Sequence, residues 1–137
     1  MCSSDLYFVS QSRYGGGAMK GPEAREQEAL FAWAEYMQTK YPELKWLYHV
    51  PNGGSRNKIE AVNLKRQGVK AGVPDLCLPV ARKNYHGLYI EMKSAKGKVS
   101  EKQEEWIDAL LKNGYLAIVC HSFTDASNLI TQYLEGK

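Results

Sequence analysis

Three residues in the middle of the chain have the types and spacing that metal-assisted phosphate chemistry needs. Asp75 stands directly before a short apolar run, and Glu91 and Lys93 lie in the next such run. Side chains two apart in a strand share a face, and a hairpin between the two runs would bring Asp75 beside Glu91. Two hard carboxylates without a converging His or Cys set favour Mg²⁺ or Mn²⁺ over zinc. Lys93 carries the charge to orient a water molecule or to offset charge on a phosphate.

A third carboxylate belongs to the first predicted helix. Pro22 suits a first helical turn, and apolar residues recur at helical spacing as far as Tyr41. On a helical wheel Glu23 falls at the centre of the apolar stripe, with Gln27 about 40° to one side and Glu26 about 60° to the other. A charge in line with a core stripe needs a partner, unless it lies beyond the core edge in water. The wheel places Glu23 nearer the centre of the stripe than Glu26, and on the helix alone Glu23 fits a solvated acid beyond the core edge as well as an acid of the site.

The elements around these residues predict one α/β domain with a central mixed sheet flanked by helices. Ser100-Glu101-Lys102-Gln103 fits a helical capping box, and Thr124 is predicted to cap the last helix. Strands are predicted over 46–50, 76–80, 88–93 and 115–120, and helices over 22–41, 58–67, after Ser100 and after Thr124. The order is therefore helix, strand, helix, strand, strand, helix, strand, helix.

Composition limits the class of protein. The chain has 137 residues, of which 44% are hydrophobic and 24% charged, so it fits one globular domain. No apolar run is long enough to cross a membrane, and three cysteines do not make a disulfide framework, so we expect a cytoplasmic protein. We predict that residues 1–21 are a disordered lead-in and that 22–137 form the domain. The opening 1–6 resembles a translated sequencing adapter, so the lead-in need not be native.

The charge distribution points toward phosphate without proving it. The net charge is only +3, but basic residues dominate the middle of the chain over 56–70 and 82–102. Such a pattern fits a phosphate-binding surface or a solvated face about equally. His49, beside the glycine-rich turn at 52–55, fits either a neighbour of an active site or an ordinary strand histidine. The residues predicted to contact nucleic acid are Asn52, Gly53, Arg56, Lys58, Lys65, Arg66, Lys70, Lys96 and Lys98.

Pro74-Asp75 followed by Glu91-Met92-Lys93 resembles the motif of the PD-(D/E)xK nuclease superfamily. The segments around it are similar to the VRR-NUC branch, especially its small phage-type and bacterial stand-alone members. The resemblance extends from about Glu23 to Leu134, the whole predicted domain, which makes it much more specific than the short motif. The similar segments are His49–Gly54, Gly68–Leu76, Gly87–Lys93, Ser100–Gln103, and Glu23 with Gln27 and Leu30.

The resemblance implies a restriction-endonuclease-like αβββαβ core and a Mg²⁺-dependent DNA endonuclease, with Mn²⁺ as a substitute. It implies that Glu23, Asp75 and Glu91 hold the metal together with the main-chain carbonyl of Met92. Lys93 would be the catalytic lysine, and Gln27 and Gln103 would support the site. Four-way junctions are the expected substrate and a homodimer the expected form, because paired cuts need two symmetric active sites. The alternatives are a flap-, nick- or duplex-cutting nuclease, a non-catalytic DNA-binding module, and a phosphoesterase acting on nucleotides.

Overall fold

The computed structural model describes residues 21–51 and 57–137. The predicted Asn52, Gly53 and Arg56 contacts, and all but the last residue of the predicted lead-in, lie outside these ranges. The helices and strands follow one another in the predicted order. They are α1 (Pro22–Tyr36), two 3-10 turns (Met37–Thr39 and Pro42–Trp46), β1 (Tyr48–His49), α2 (Lys58–Arg66), β2 (Leu76–Leu78), β3 (Leu88–Met92), α3 (Glu101–Lys112), β4 (Leu116–Cys120) and α4 (Phe123–Leu134).

The four strands form one mixed sheet in the order β1-β2-β3-β4. β1 pairs with β2 and β2 with β3 in antiparallel fashion, whereas β3 and β4 are parallel. A parallel pair needs a crossover, and α3 supplies it. This arrangement confirms the predicted α/β architecture with a restriction-endonuclease-like core. In the β2–β3 register Leu76 lies opposite Ile90, so the next step of the ladder places Asp75 opposite Glu91.

The hydrophobic core lies on one face of the sheet. Alternation along β3 sends Leu88, Ile90 and Met92 into it, where they pack with residues of α1 and α4 that include Leu30 and Ile130. The same alternation sends Tyr89 and Glu91 to the opposite face. The free cysteines Cys77 and Cys120 are both buried, as predicted. Cys120 belongs to this core, whereas Cys77 lies opposite Tyr89 on the other face of the sheet. The carboxylate on β3 is therefore separated from the main core by the sheet itself.

Several element ends differ from the prediction. The prediction that Thr124 caps the last helix was wrong, because Ser122 Oγ accepts a hydrogen bond from the Asp125 N–H at 3.1 Å and Thr124 lies inside α4. α1 ends at Tyr36, where the chain tightens into a 3-10 turn. β1 has two residues instead of five, and the first residue of the predicted strand, Trp46, belongs to the second such turn, Pro42–Trp46. No helix in the described ranges is long and apolar enough to cross a membrane.

Gly72 brings the loop before Asp75 against the start of α3. Its φ of +94° lies in the left-handed region, and a Cβ on it would stand 2.6 Å from the main-chain oxygen of Lys102. Glycine adopts this φ without strain and has no Cβ to clash with Lys102. The approach places the Asp75 loop beside the capping box of Ser100 and Gln103, in which each side chain bonds the other residue's main-chain N–H.

Candidate active site

Asp75 is fixed at the end of β2 by main-chain and side-chain bonds. Its carbonyl accepts a hydrogen bond from the Val50 N–H at 2.6 Å, which extends the β1–β2 pairing. Its Oδ2 accepts one from the Met92 N–H at 2.9 Å, across the β2–β3 pair. Rigid strands therefore set the position of this carboxylate, which is half-buried beside Glu91.

Glu91 is an unusual residue for a β-strand, because it is a carboxylate with only 3% of its surface exposed. Its Oε1 is buried and has no hydrogen-bond partner among the described residues. Burial raises the pKa of Glu91 to about 9, and the hydrogen bond with Asp75 and the charge of Asp75 act in the same direction, whereas Lys93 lowers it. A buried carboxylate oxygen without a partner is costly, and a cation bound there would remove that cost.

Lys93 supplies positive charge next to this acid pair. Its Nζ lies 4.0 Å from Glu91 Oε2, and the two side chains are only 14% and 3% exposed. The main-chain N–H of Lys93 donates to the Cys120 carbonyl at 2.9 Å, which continues the β3–β4 pairing by one residue. The two residues therefore do not form the exposed surface ion pair that a Glu-x-Lys sequence on a strand would by itself suggest.

Glu23 and Glu26, the two candidate acids of α1, form hydrogen bonds with different parts of the fold. Glu23 is exposed, and its Oε1 accepts a hydrogen bond from the Ser94 N–H at 3.3 Å, just beyond Lys93. Glu26 Oε2 accepts one from the Phe123 N–H at 2.7 Å, at the start of α4. The structure thus places Glu23 at the end of β3 that bears the acid pair, whereas Glu26 is engaged in joining α1 to α4.

The two glutamines proposed to support the site lie on its helices. Gln27 is half-buried on α1, one turn after Glu23. Gln103 Oε1 accepts a hydrogen bond from the Ser100 N–H at 2.9 Å, so its amide is engaged in the capping box. Among the described residues neither amide bonds to the acid pair.

Two histidines adjoin the site, and one of them was not predicted. His49 Nδ1 lies 2.9 Å from the Asp75 carbonyl, and His121 Nδ1 lies 2.9 Å from the Ser94 carbonyl. A carbonyl can only accept, so in both cases Nδ1 carries the hydrogen. His121 directly follows β4, and the carboxyl ends of parallel strands meet at one edge, so a parallel β3–β4 pair would have revealed it from sequence.

The described basic residues predicted to contact nucleic acid are all exposed. They lie on and after α2 and in the loop after β3, and are Lys58, Lys65, Arg66, Lys70, Lys96 and Lys98. α2 has no buried residue, and its apolar Ile59 is 76% exposed. The helix therefore stands on the surface, with its charges open to solvent.

The acid pair fits a hard cation, although the carboxylates are not gathered into a complete ligand set. Within 21–51 and 57–137, no three His, Cys, Asp or Glu side chains stand close enough together to hold a metal ion. Glu23 and Asp75 each use one oxygen to accept a hydrogen bond from a main-chain N–H. The unpartnered oxygen of Glu91, beside Asp75, is the position whose chemistry matches Mg²⁺.

Comparisons with known proteins agree with this geometry. The family model described as "VRR-NUC domain" matches residues 21–124. A solved structure described as "VRR_NUC domain protein" is 35% identical to this chain, with a TM-score of 0.73. The match covers 86% of this chain and 93% of that one. No curated protein matched. A family model that covers most of the domain, and a close structural neighbour of the same type, place the chain in the VRR-NUC domain family of nucleases.

Proposed function

We propose that this protein is a Mg²⁺-dependent endonuclease that hydrolyses DNA phosphodiester bonds. The observation that carries the proposal is the buried, unpartnered Oε1 of Glu91 beside Asp75 and Lys93. A stable fold has no structural use for such an oxygen, since burying it without a partner costs free energy. A divalent cation would satisfy the oxygen and would be a reason to retain a carboxylate on the face of the sheet.

The proposed metal ligands come from three elements that meet at one end of the sheet. Asp75 precedes β2, Glu91 lies in β3, and Glu23 lies in the first turn of α1. Mg²⁺, when bound, would supply a Lewis acid that polarises the scissile phosphate and lowers the pKa of the attacking water. The groups that would hold it are Asp75, Glu91, Glu23 and the main-chain carbonyl of Met92.

The protein's own residues then bind and orient the phosphate. Lys93 Nζ, largely shielded from water, orients the attacking water or offsets negative charge on the phosphate in the transition state. Its charge is more effective there than on an open surface, because the low local dielectric strengthens it. Asp75 is held by Met92 and Val50, so it presents its carboxylate without having to reorganise during the reaction.

DNA is the proposed substrate, with four-way junctions as the structure cut. The exposed lysines and arginine of α2 and of the loop after β3 supply sequence-independent affinity for the backbone. Paired cuts at a junction need two symmetric sites, so the proposal includes a homodimer. Junction cutting belongs to DNA recombination and repair, and we place it in the cytoplasm of a bacterial or phage-infected cell.

The test is cleavage of labelled four-way junction, flap, duplex and single-stranded DNA with Mg²⁺ or Mn²⁺. Lys93→Ala is compared with the wild type, and Lys112→Ala serves as the control because Lys112 is exposed and pairs with Asp108 on α3. We expect symmetric junction cuts that Lys93→Ala abolishes and Lys112→Ala retains.

Each other outcome has a defined meaning. Cuts mainly at flaps or nicks would support metal-dependent DNA hydrolysis and would reject four-way junctions as the substrate. No cleavage of any substrate, with salt-sensitive DNA binding that survives Glu91→Ala, would reject the enzyme in favour of a binding module. Cleavage unchanged in Lys93→Ala would reject the role given to that lysine.

A further inference from the structure

The parallel strands β3 and β4 separate immediately beyond the proposed site. Their last main-chain bond runs from the Lys93 N–H to the Cys120 carbonyl at 2.9 Å. At the next position the ring of His121 replaces the main-chain donor, because its Nδ1 lies 2.9 Å from the Ser94 carbonyl oxygen. A side chain therefore continues the connection between the strands by one more residue.

Ser94 is held from three directions. Its N–H donates to Glu23 Oε1 at 3.3 Å, and its carbonyl accepts from the Gly97 N–H at 2.9 Å as well as from His121. A carbonyl oxygen has two lone pairs, so both bonds can form together. The bond from Gly97 closes the turn on itself. Among the described residues, it is the His121 ring that ties the carbonyl of that turn to the sheet.

We propose that His121 is a positioning residue of the nuclease site. By anchoring Ser94, it holds the Ser94 N–H against Glu23 and keeps the adjacent Lys93 beside Glu91. The inference rests on the proposed function, because Glu23 matters only if the acids hold a cation. It concerns a residue outside the acid–lysine motif that acts on the acids through Ser94.

The donor that this role requires is Nδ1–H and not Nε2. A ring with the hydrogen on Nδ1 can donate it to the Ser94 carbonyl, which can only accept. Asparagine places its amide N–H₂ near the position of Nδ1, whereas glutamine reaches toward the position of Nε2. The two amides therefore separate an anchoring role from a role of the outer nitrogen.

His121 contributes little to packing, which makes its effect separable from folding. The residue is exposed and lies outside the hydrophobic core. Its removal is expected to leave stability nearly unchanged, as for most surface substitutions. Removing His121 should instead lower metal affinity and the cleavage rate, because loss of a residue that orients metal ligands typically changes affinity or activity by about 10- to 100-fold.

The experiment compares His121→Ala, His121→Asn and His121→Gln with His86→Asn as the control. His86 is an exposed histidine at the opposite end of β3, with its ring against Tyr115. Three quantities are measured: single-turnover cleavage, Mn²⁺ affinity by calorimetry without DNA, and amide hydrogen exchange at Ser94 and Gly97. We expect His121→Ala to lower cleavage and Mn²⁺ affinity by about 10- to 100-fold and to speed exchange. His121→Asn should restore all three quantities, whereas His121→Gln should not.

The outcomes separate the two proposals. Wild-type cleavage, Mn²⁺ affinity and exchange in His121→Ala would overturn the anchoring role. Rescue by glutamine alone would assign the function to Nε2 and overturn it as well. If the wild type neither binds Mn²⁺ nor cleaves DNA, the proposed function fails. The exchange rates still decide in that case whether His121 anchors Ser94.

Discussion

Asp75 and Met92 are joined by a hydrogen bond from the Met92 N–H to Asp75 Oδ2, 2.9 Å long. Beyond the end of β2, this bond to the Asp75 carboxylate takes the place of the next main-chain hydrogen bond between β2 and β3. It fixes one oxygen of Asp75 on the strand that carries Glu91. The acid pair is therefore set by sheet pairing and does not depend on a flexible loop.

Replacing Glu91 by Gln should change how stability depends on pH in metal-free protein. The folded chain holds the Glu91 proton up to a pKa of about 9, against an ordinary value of 4.5. This proton stabilises the fold fully below the lower value, and the contribution is lost as the pH rises toward the upper one. In EDTA, the wild-type Tm should therefore fall by several degrees between about pH 5 and about pH 9, and Glu91→Gln should remove that part of the fall.

Added Mg²⁺ provides the internal control for this experiment. A bound cation takes the place of the proton, so Mg²⁺ should raise the wild-type Tm most at high pH. It should have little effect on Glu91→Gln. Identical pH profiles for the two proteins in EDTA would show that Glu91 does not retain its proton in the fold.

Replacing Glu23 or Glu26 of α1 by alanine should affect different properties: Glu26→Ala should lower stability, and Glu23→Ala should lower cleavage. Glu26→Ala removes the acceptor for the Phe123 N–H at the start of α4, and should cost about 1 kcal/mol of unfolding free energy, as loss of a helix cap does. Glu23→Ala removes an exposed side chain, so it should leave stability within about 0.5 kcal/mol. Denaturant unfolding and Mg²⁺-dependent cleavage of both variants provide the measurement.

Cleavage should respond in the opposite order. Glu23→Ala should reduce it by at least about 10-fold, as loss of a ligand or its partner does, whereas Glu26→Ala should cut normally at temperatures where it is folded. A fully stable Glu26→Ala protein without activity would move the helix ligand from Glu23 to Glu26.

Gly72→Ala should damage the site through the backbone. The new Cβ would lie 2.6 Å from the Lys102 carbonyl oxygen, in addition to the strain of a φ of +94°. We expect a loss of about 2–3 kcal/mol in unfolding free energy and reduced cleavage, because the loop that leads to Asp75 has to move. Chemical denaturation and the cleavage assay measure the two effects.

Gly68→Ala is the matched control for strain alone. Gly68 has a φ of +102°, but its Cβ would meet nothing within 4 Å. The Gly68→Ala variant should lose about 1 kcal/mol of unfolding free energy and should still cleave DNA. Equal losses of unfolding free energy and of cleavage in the two variants would mean that the close approach of Gly72 to α3 matters for neither stability nor activity.

Lys65→Ala and Arg66→Ala should each weaken DNA binding without affecting the choice of sequence. Both side chains are exposed near the end of α2. Removing one cationic side chain that binds a phosphate should lower the slope of log affinity against log salt by about 1. Binding titrations at several salt concentrations test this, with Lys112→Ala expected to match the wild type. Slopes unchanged in both variants would remove α2 from the DNA-binding surface.

Local sequence signals predicted the parts of the fold that depend on neighbours in the chain. The alternation at Leu88–Met92 identified β3, and the Ser100 capping box is formed as predicted. The proximity of Asp75 and Glu91 followed from a hairpin register, which the period of a strand nearly dictates.

The missed features depend on interactions between distant segments. Ser122 and Thr124 are both good capping residues, and the helix begins where Glu26, 97 residues earlier, binds the Phe123 N–H. His121 gained its partner from the parallel pairing of β3 with β4, which no local pattern specifies. The exposure of Ile59 was also unpredictable, because its spacing fits a packed amphipathic helix equally well.

The packing of α1 on α4 has a consequence for synthesis of the protein. Glu23, the first of the proposed metal ligands in the sequence, lies on a helix that packs against α4, the last helix of the domain. A growing chain on the ribosome can pair β2 with β3 long before α4 has emerged, but it cannot dock α1 in its final place. Glu23 is therefore translated before the other proposed ligands and positioned after them. A chain released before α4 is made would carry the acid pair of Asp75 and Glu91 without the packing that holds α1, and with it Glu23, in place.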